Sequence, residues 1–134
     1  MDKGYVLDSY ALMAHFEQEP GAERVERLLK AARAGKTALY LTAVNLGEIY
    51  YSVVRERGIG KADETLTIIE ELPISIVDAD KTLAVLAGKI KAAHPIAYAD
   101  CFAAALANQL NTKVVTGDPE FKKLENEVGI EWLN

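Results

Sequence analysis

Four carboxylates carry the chemistry this sequence offers: Asp8, Glu48, Asp100 and Asp118. Carboxylate oxygens are hard donors that suit Mg²⁺ or Mn²⁺, ions that keep part of their water shell and take substrate phosphates as further ligands. Acids gathered in one place repel one another and raise each other's pKa, and a bound cation relieves that repulsion. A cluster of this kind points to metal-assisted hydrolysis of a phosphodiester. Each acid also has a structural reading when taken singly. Asp8 and Asp118 stand where a helix cap would, the latter directly ahead of Pro119. Glu48 falls on a polar helical stripe with Asn45, Ser52 and Arg55, opposite an apolar face of Leu46, Ile49, Tyr50, Val53 and Val54. Asp100 suits the helix dipole at the start of its helix. Its neighbours on the same face, however, are Ala103, Ala104, Ala107 and Asn111. An ionised acid facing a row of alanines is costly unless it is paired, so Asp100 is the hardest of the four to explain structurally.

The elements that must position these acids alternate along the chain. A strand at Gly4–Leu7 leads into a helix from Ser9 to Glu17. Pro20 and Gly21 open a second helix, Ala22–Ala34, with Val25, Leu28, Leu29 and Ala32 at helical spacing and Gly35 closing it. A strand at Thr37–Leu41 precedes a helix from Ala43 to Arg57 that Thr42 can cap. Gly58 and Gly60 separate that helix from one at Lys61–Glu71. A strand follows at Ile74–Val77, and then a long helix opened by Asp78 and Asp80 that runs to His94. Pro95 is expected to start a helix from Ile96 to Asn111. Lys113–Thr116 is a strand, a short helical stretch reaches Leu124, and Ile130–Leu133 is a last strand. Strands alternating with helices predict an α/β fold with a central parallel sheet covered on both faces by right-handed crossovers. In such sheets ligands bind beyond the carboxyl ends of the strands. Three of the four acids stand at strand-to-helix transitions and the fourth early in such a helix, so all four are expected to converge.

Length and composition suit one domain over 1–134, large enough to fold without disulfides. The single cysteine, Cys101, reads as a buried thiol and fits a reducing cytoplasm. The first twenty residues carry Asp2, Asp8 and Glu17 and do not resemble a signal peptide, and the longest apolar run, Cys101–Ala107, is far too short to span a bilayer. A net charge of −5 argues against a passive RNA-binding module with a broad phosphate footprint. Without the four carboxylates the chain would be nearly neutral. His15 and His94 fit no metal-ligand spacing, and Lys89, Lys91 and His94 form a small basic cluster that reads as a solvated face.

Four segments together resemble a known family: Val6-Leu7-Asp8-Ser9-Tyr10-Ala11-Leu12, Leu46-Gly47-Glu48-Ile49, Ala99-Asp100-Cys101-Phe102 with the following alanines to Ala107, and Val114-Val115-Thr116-Gly117-Asp118-Pro119-Glu120-Phe121. In this order and at these separations they resemble the PIN-domain nucleases, specifically the VapC-type toxins of toxin–antitoxin pairs, over essentially the whole chain. The resemblance implies a three-layer α/β/α sandwich and Mg²⁺- or Mn²⁺-dependent endoribonuclease activity. It implies that Asp8, Asp100 and Asp118 bind metal and that Glu48 is the fourth catalytic acid, acting on the metal or a bound water. Thr116 and Ser9 match supporting positions. It further implies homodimers and a cognate antitoxin protein, for which Tyr50, Tyr51, Val53 and Val54 are interface candidates unless they pack inside. One departure is Gly117, where many relatives carry a larger residue such as Arg.

Other functions stay in view. A related nuclease of RNA maturation would use the same acids without a toxin role. A receiver-type phosphoacceptor wants paired acids after the first strand and a Lys near the last. A phosphatase of the Asp-x-Asp type wants a second Asp where Tyr10 stands. A non-catalytic interaction domain requires none of the acids.

Overall fold

The computed structural model describes residues 4–134, so the first three residues of the expected 1–134 domain lie outside the described residues. Five short strands, β1 (Tyr5–Leu7), β2 (Leu39–Thr42), β3 (Ser75–Val77), β4 (Lys113–Thr116) and β5 (Gly129–Trp132), form one sheet. Its order is β3-β2-β1-β4-β5 and every pairing is parallel. The chain steps outward from central β1 to β2 and β3, then crosses back to lay β4 on the other side of β1. That reversal is a topological switch point, and the crevice it opens lies at the carboxyl ends of β1 and β4. The register pairs Leu7 with Val115, which brings Asp8 and Thr116 side by side at that edge.

Alternate strand residues feed two separate cores, as the two-residue pleat requires. Val6 and Val114 pack with α5 (Lys81–Ala93), α6 (Tyr98–Gln109) and the 3₁₀ stretch Pro119–Leu124. Leu7 and Val115 pack on the opposite face with α1 (Ser9–Phe16), α2 (Ala22–Arg33), α3 (Ala43–Arg57) and α4 (Ile59–Glu71). The result is the expected three-layer α/β/α sandwich around a parallel sheet. Among the described residues no helix is long and apolar enough to cross a membrane.

Most element ends fall within two residues of the sequence expectation. Asp80 caps α5 by accepting from the Leu83 amide, and Thr42 caps α3 by accepting from the Asn45 amide. Two boundaries need correction. The helix placed at Lys61 starts at Ile59, because Gly58, at φ +90°, ends α3 and begins α4 within one residue. The helix placed at Ile96 starts at Tyr98. His94 is extended, as residues before proline tend to be, and Ile96 is drawn into the core, where its carbonyl accepts from Lys91 Nζ at 2.5 Å. From Asp100 to Ala107 every residue of α6 is buried. The alanines keep this helix slim enough to sit against the sheet, α5 and α3 at once.

Candidate active site

Asp8 leaves β1 and caps α1, and both roles are met by one carboxylate. Oδ1 accepts from the Ala11 amide at 2.8 Å, while Oδ2 accepts from the Thr116 hydroxyl at 2.5 Å. The side chain is 1% exposed. Burial pushes its pKa up to about 8, against the lowering effect of those two hydrogen bonds, and Asp100 and Asp118 raise it further by charge repulsion. Thr116, at the end of β4, also accepts from the Asp118 amide at 3.0 Å. One buried hydroxyl thus ties together the two acids that follow adjacent strands.

Asp118 caps the 3₁₀ stretch by accepting from the Glu120 amide at 2.9 Å. Asp100 enters from the first turn of α6 and is 8% exposed. Burial raises its pKa to about 7, with further upward contributions from Asp118, Glu48 and Glu120. Glu48, half-buried on α3, accepts a hydrogen bond from the Ser9 hydroxyl. The four expected acids, with Ser9 and Tyr10, line a single open cleft of about 280 Å³ at the switch point. Taken singly, each acid had a structural role in the sequence, and the caps at Asp8 and Asp118 are real. They coexist with convergence on the cleft.

Among the described residues no three His, Cys, Asp or Glu side chains are drawn close enough to grip an ion unaided. The donor set still fits a hydrated hard cation. Mg²⁺ retains several waters and takes only one or two carboxylates plus substrate phosphates, which requires an open acidic cleft and not a dry cage. The raised pKa values of Asp8 and Asp100 come first from burial and then from mutual repulsion, and a bound cation would offset both by favouring the ionised carboxylates.

A PIN domain family model matches residues 5–127. This chain belongs to the PIN domain family. No curated protein sequence matches it. Its fold is similar to that of the VapBC complex of Salmonella typhimurium solved with DNA, with a TM-score of 0.77 at 18% identity over all of both chains. The VapBC2 complex of Rickettsia felis, bound to a promoter DNA fragment, is similar at TM-score 0.75 and 20% identity, covering 95% of this chain and 96% of that one. VapC20 of Mycobacterium tuberculosis, a toxin that cleaves the sarcin–ricin loop, is similar at TM-score 0.70 and 14% identity, covering 90% and 94%. At these identities the likeness is one of fold.

Two features of this PIN domain escaped the sequence reading. Asn45, expected on a solvated stripe beside Glu48, is fully buried. Its Nδ2 donates to the Ser9 hydroxyl oxygen at 3.3 Å and to the Ala99 carbonyl at 3.2 Å, and its Oδ1 accepts from the Thr42 hydroxyl at 2.6 Å. It joins the starts of α1, α3 and α6, one residue from Asp100 and one hydrogen bond from Glu48. The only sequence signal was position: an amide in the first turn of a helix that follows a strand. Asn45→Ala removes the acceptor of the buried Thr42 hydroxyl proton and one donor to the Ala99 carbonyl, so it is expected to cost about 1–3 kcal/mol. Urea denaturation measures this, and a loss below about 0.5 kcal/mol, the size of an ordinary surface change, would refute the bridging role. Glu120 is the second omission, an exposed acid paired with Lys123 at 3.1 Å that still acts on Asp100 through space.

The remaining candidates are structural in varying degree. Val53 packs in the core, and the Tyr50 hydroxyl donates to Asp63. Tyr51 is 48% exposed, with the Arg55 guanidinium over its ring. The small basic cluster is partly engaged, since His94 pairs with Glu127 and Lys91 holds the Ile96 carbonyl. Cys101 is buried, as expected.

Proposed function

We propose that this chain is a metal-dependent endoribonuclease and the toxin of a VapBC-type pair. The observation that carries this reading is the meeting of Asp8, Glu48, Asp100 and Asp118 in one open cleft at the switch point of the sheet. Asp8, Asp100 and Asp118 would hold a Mg²⁺ or Mn²⁺ ion. Such an ion, when bound, supplies Lewis-acid stabilisation of the charge that develops on the phosphate. Thr116 keeps Asp8 aimed by bonding Oδ2, and through the Asp118 amide it sets the distance between the two strand-end acids. Glu48, held by the Ser9 hydroxyl, orients a water toward the phosphorus and accepts its proton. The cleft reads phosphate and not base edges, so the acids alone do not select the target RNA.

The fold likeness to VapBC complexes supports a cognate antitoxin as partner. The same reading takes a second copy of the chain as a dimer mate and the cytoplasm as the place of action, by one domain over 1–134. An acidic cleft suits an inhibitor that inserts an arginine, because the guanidinium pairs with carboxylates in two-pronged geometry.

The test is cleavage of RNA by purified protein in Mg²⁺, Mn²⁺ or EDTA, with Asp8→Asn and Asp118→Asn run beside the wild type. Loss of cleavage in EDTA and a drop of at least ~100-fold in each variant are expected. Equal activity in all samples would identify a contaminant and sink the reading. The antitoxin is tested separately, by co-expressing the neighbouring open reading frame and asking whether it co-purifies and relieves toxicity.

A further inference from the structure

Tyr10 is not used by the chemistry above. It stands two residues after Asp8, in the first turn of α1, and lines the same cleft as the four acids. Ala11 and Leu12, the next residues of that helix, are buried, whereas Tyr10 is 39% exposed. Its ring is seated on Gly117, the residue between Thr116 and Asp118. A Cβ at 117 would fall on ring atom Cε1 and lie 2.9 Å from Cζ. Gly117 does not have the positive φ that demands glycine, so what a side chain there would remove is room, first for the ring and then for the Asn134 amide, whose Nδ2 would lie 2.9 Å from it. Among the described residues no second ring and no cation stacks on Tyr10.

We propose that Tyr10 is a stacking platform for a nucleobase of the RNA, the base next to the phosphate engaged by the acids. The proposal rests on the nuclease reading above and adds a base subsite to it. The physical need is plain. With a net charge of −5, the chain has little broad electrostatic attraction for RNA, and the cleft itself is acidic. Stacking on an aromatic side chain does not depend on charge, works with any base, and raises affinity roughly ten- to a hundredfold per base. Gly117 lets the ring settle back against the floor of the cleft, which holds it in place and leaves its exposed part for a base. The absence of a larger side chain at 117 and the presence of an exposed tyrosine at 10 are then two halves of one device.

The experiment compares wild type, Tyr10→Phe, Tyr10→Ala, Tyr10→Leu, Gly117→Ala and the Tyr10→Ala/Gly117→Ala double variant. Binding of a fluorescein-labelled decaribonucleotide is read by anisotropy in Ca²⁺, and cleavage kinetics are read in Mn²⁺. Tyr10→Phe keeps the ring and should stay within about twofold of wild type. Tyr10→Ala and Tyr10→Leu should each raise Kd and KM about tenfold with kcat within about threefold. The leucine fills the space over Gly117 without a π-face, so it separates stacking from simple packing. Gly117→Ala should displace the ring and weaken binding, yet add less than about twofold in the Tyr10→Ala background, where only its contact with the Asn134 amide remains. Wild-type affinity in the Tyr10→Ala and Tyr10→Leu variants, a loss confined to kcat, additive effects of the two sites, or no RNA binding by the wild type would overturn the platform. Tyr10-dependent binding without any cleavage would uphold the platform and refute the nuclease reading. Cleavage unaffected by every variant would do the reverse.

Discussion

Asp100→Asn is expected to lower RNA cleavage by about 10³-fold while raising the melting temperature of the metal-free chain at pH 8. The two effects have opposite signs because they come from one cause. Burial at the start of α6 pushes the Asp100 carboxyl up to about 7, and Asp118, Glu48 and Glu120 add to the rise by charge repulsion. In the unfolded chain an aspartate ionises near ~3.9. Between those two values the folded chain keeps a proton that the unfolded chain releases. Stability is therefore full below about pH 4 and is lost as pH rises toward 7. Asparagine carries no charge to bury, so the variant escapes the loss and should melt roughly 4–7 °C higher at pH 8, the order expected for ~1–2 kcal/mol in a chain of this size. At pH 4 the two proteins should melt together. Added Mn²⁺ should raise the wild-type melting temperature at pH 8 and leave the variant's nearly unchanged. Equal melting of both proteins at pH 8, or full activity in the variant, would show that Asp100 is a helix-start acid and nothing more.

Thr116→Val should cost about 10- to 100-fold in cleavage at pH 7 and move the acidic limb of the pH–rate profile upward by roughly one unit. Valine matches threonine in shape, and the position is fully buried, so little but the hydroxyl is lost. That hydroxyl donates to Asp8 Oδ2 and is one of two hydrogen bonds that oppose the effect of burial on the Asp8 carboxyl. Without it the Asp8 pKa climbs above its present value of about 8, and a smaller fraction is ionised at neutral pH. Raising pH should restore much of the lost rate. The Asp118 amide also loses its acceptor, which adds about 1–3 kcal/mol of destabilisation that pH does not rescue. Thr116→Ser keeps the donor and should remain within about threefold of wild type. A pH profile unchanged in Thr116→Val, or a serine variant as impaired as the valine one, would remove Thr116 from the site.

The features legible in the sequence are those governed by neighbours along the chain. The cap at Asp80, the cap at Thr42, the turn at Gly35 and the strand Lys113–Thr116 follow from residue type and short-range periodicity, and the structure has all of them. Alternation of strands and helices was enough to expect a parallel sheet, and a parallel sheet places strand-end acids at one edge. Hence the four acids could be picked out and expected to meet. Asn45 shows where this reasoning stops. A helical wheel separates polar from apolar faces, yet it does not say whether a polar face meets water or the ends of two other helices. The α6 boundary stops it too, because Pro95 permits a helix start while the core claims Ile96. Tertiary structure alone decided how deeply Asp8 and Asp100 would be buried, which is the main cause of their raised pKa values. It alone placed Thr116 between Asp8 and Asp118, and Tyr10 on Gly117. Those partners are brought together by the strand order and register of β1 and β4, residues more than a hundred positions apart, which no local preference encodes.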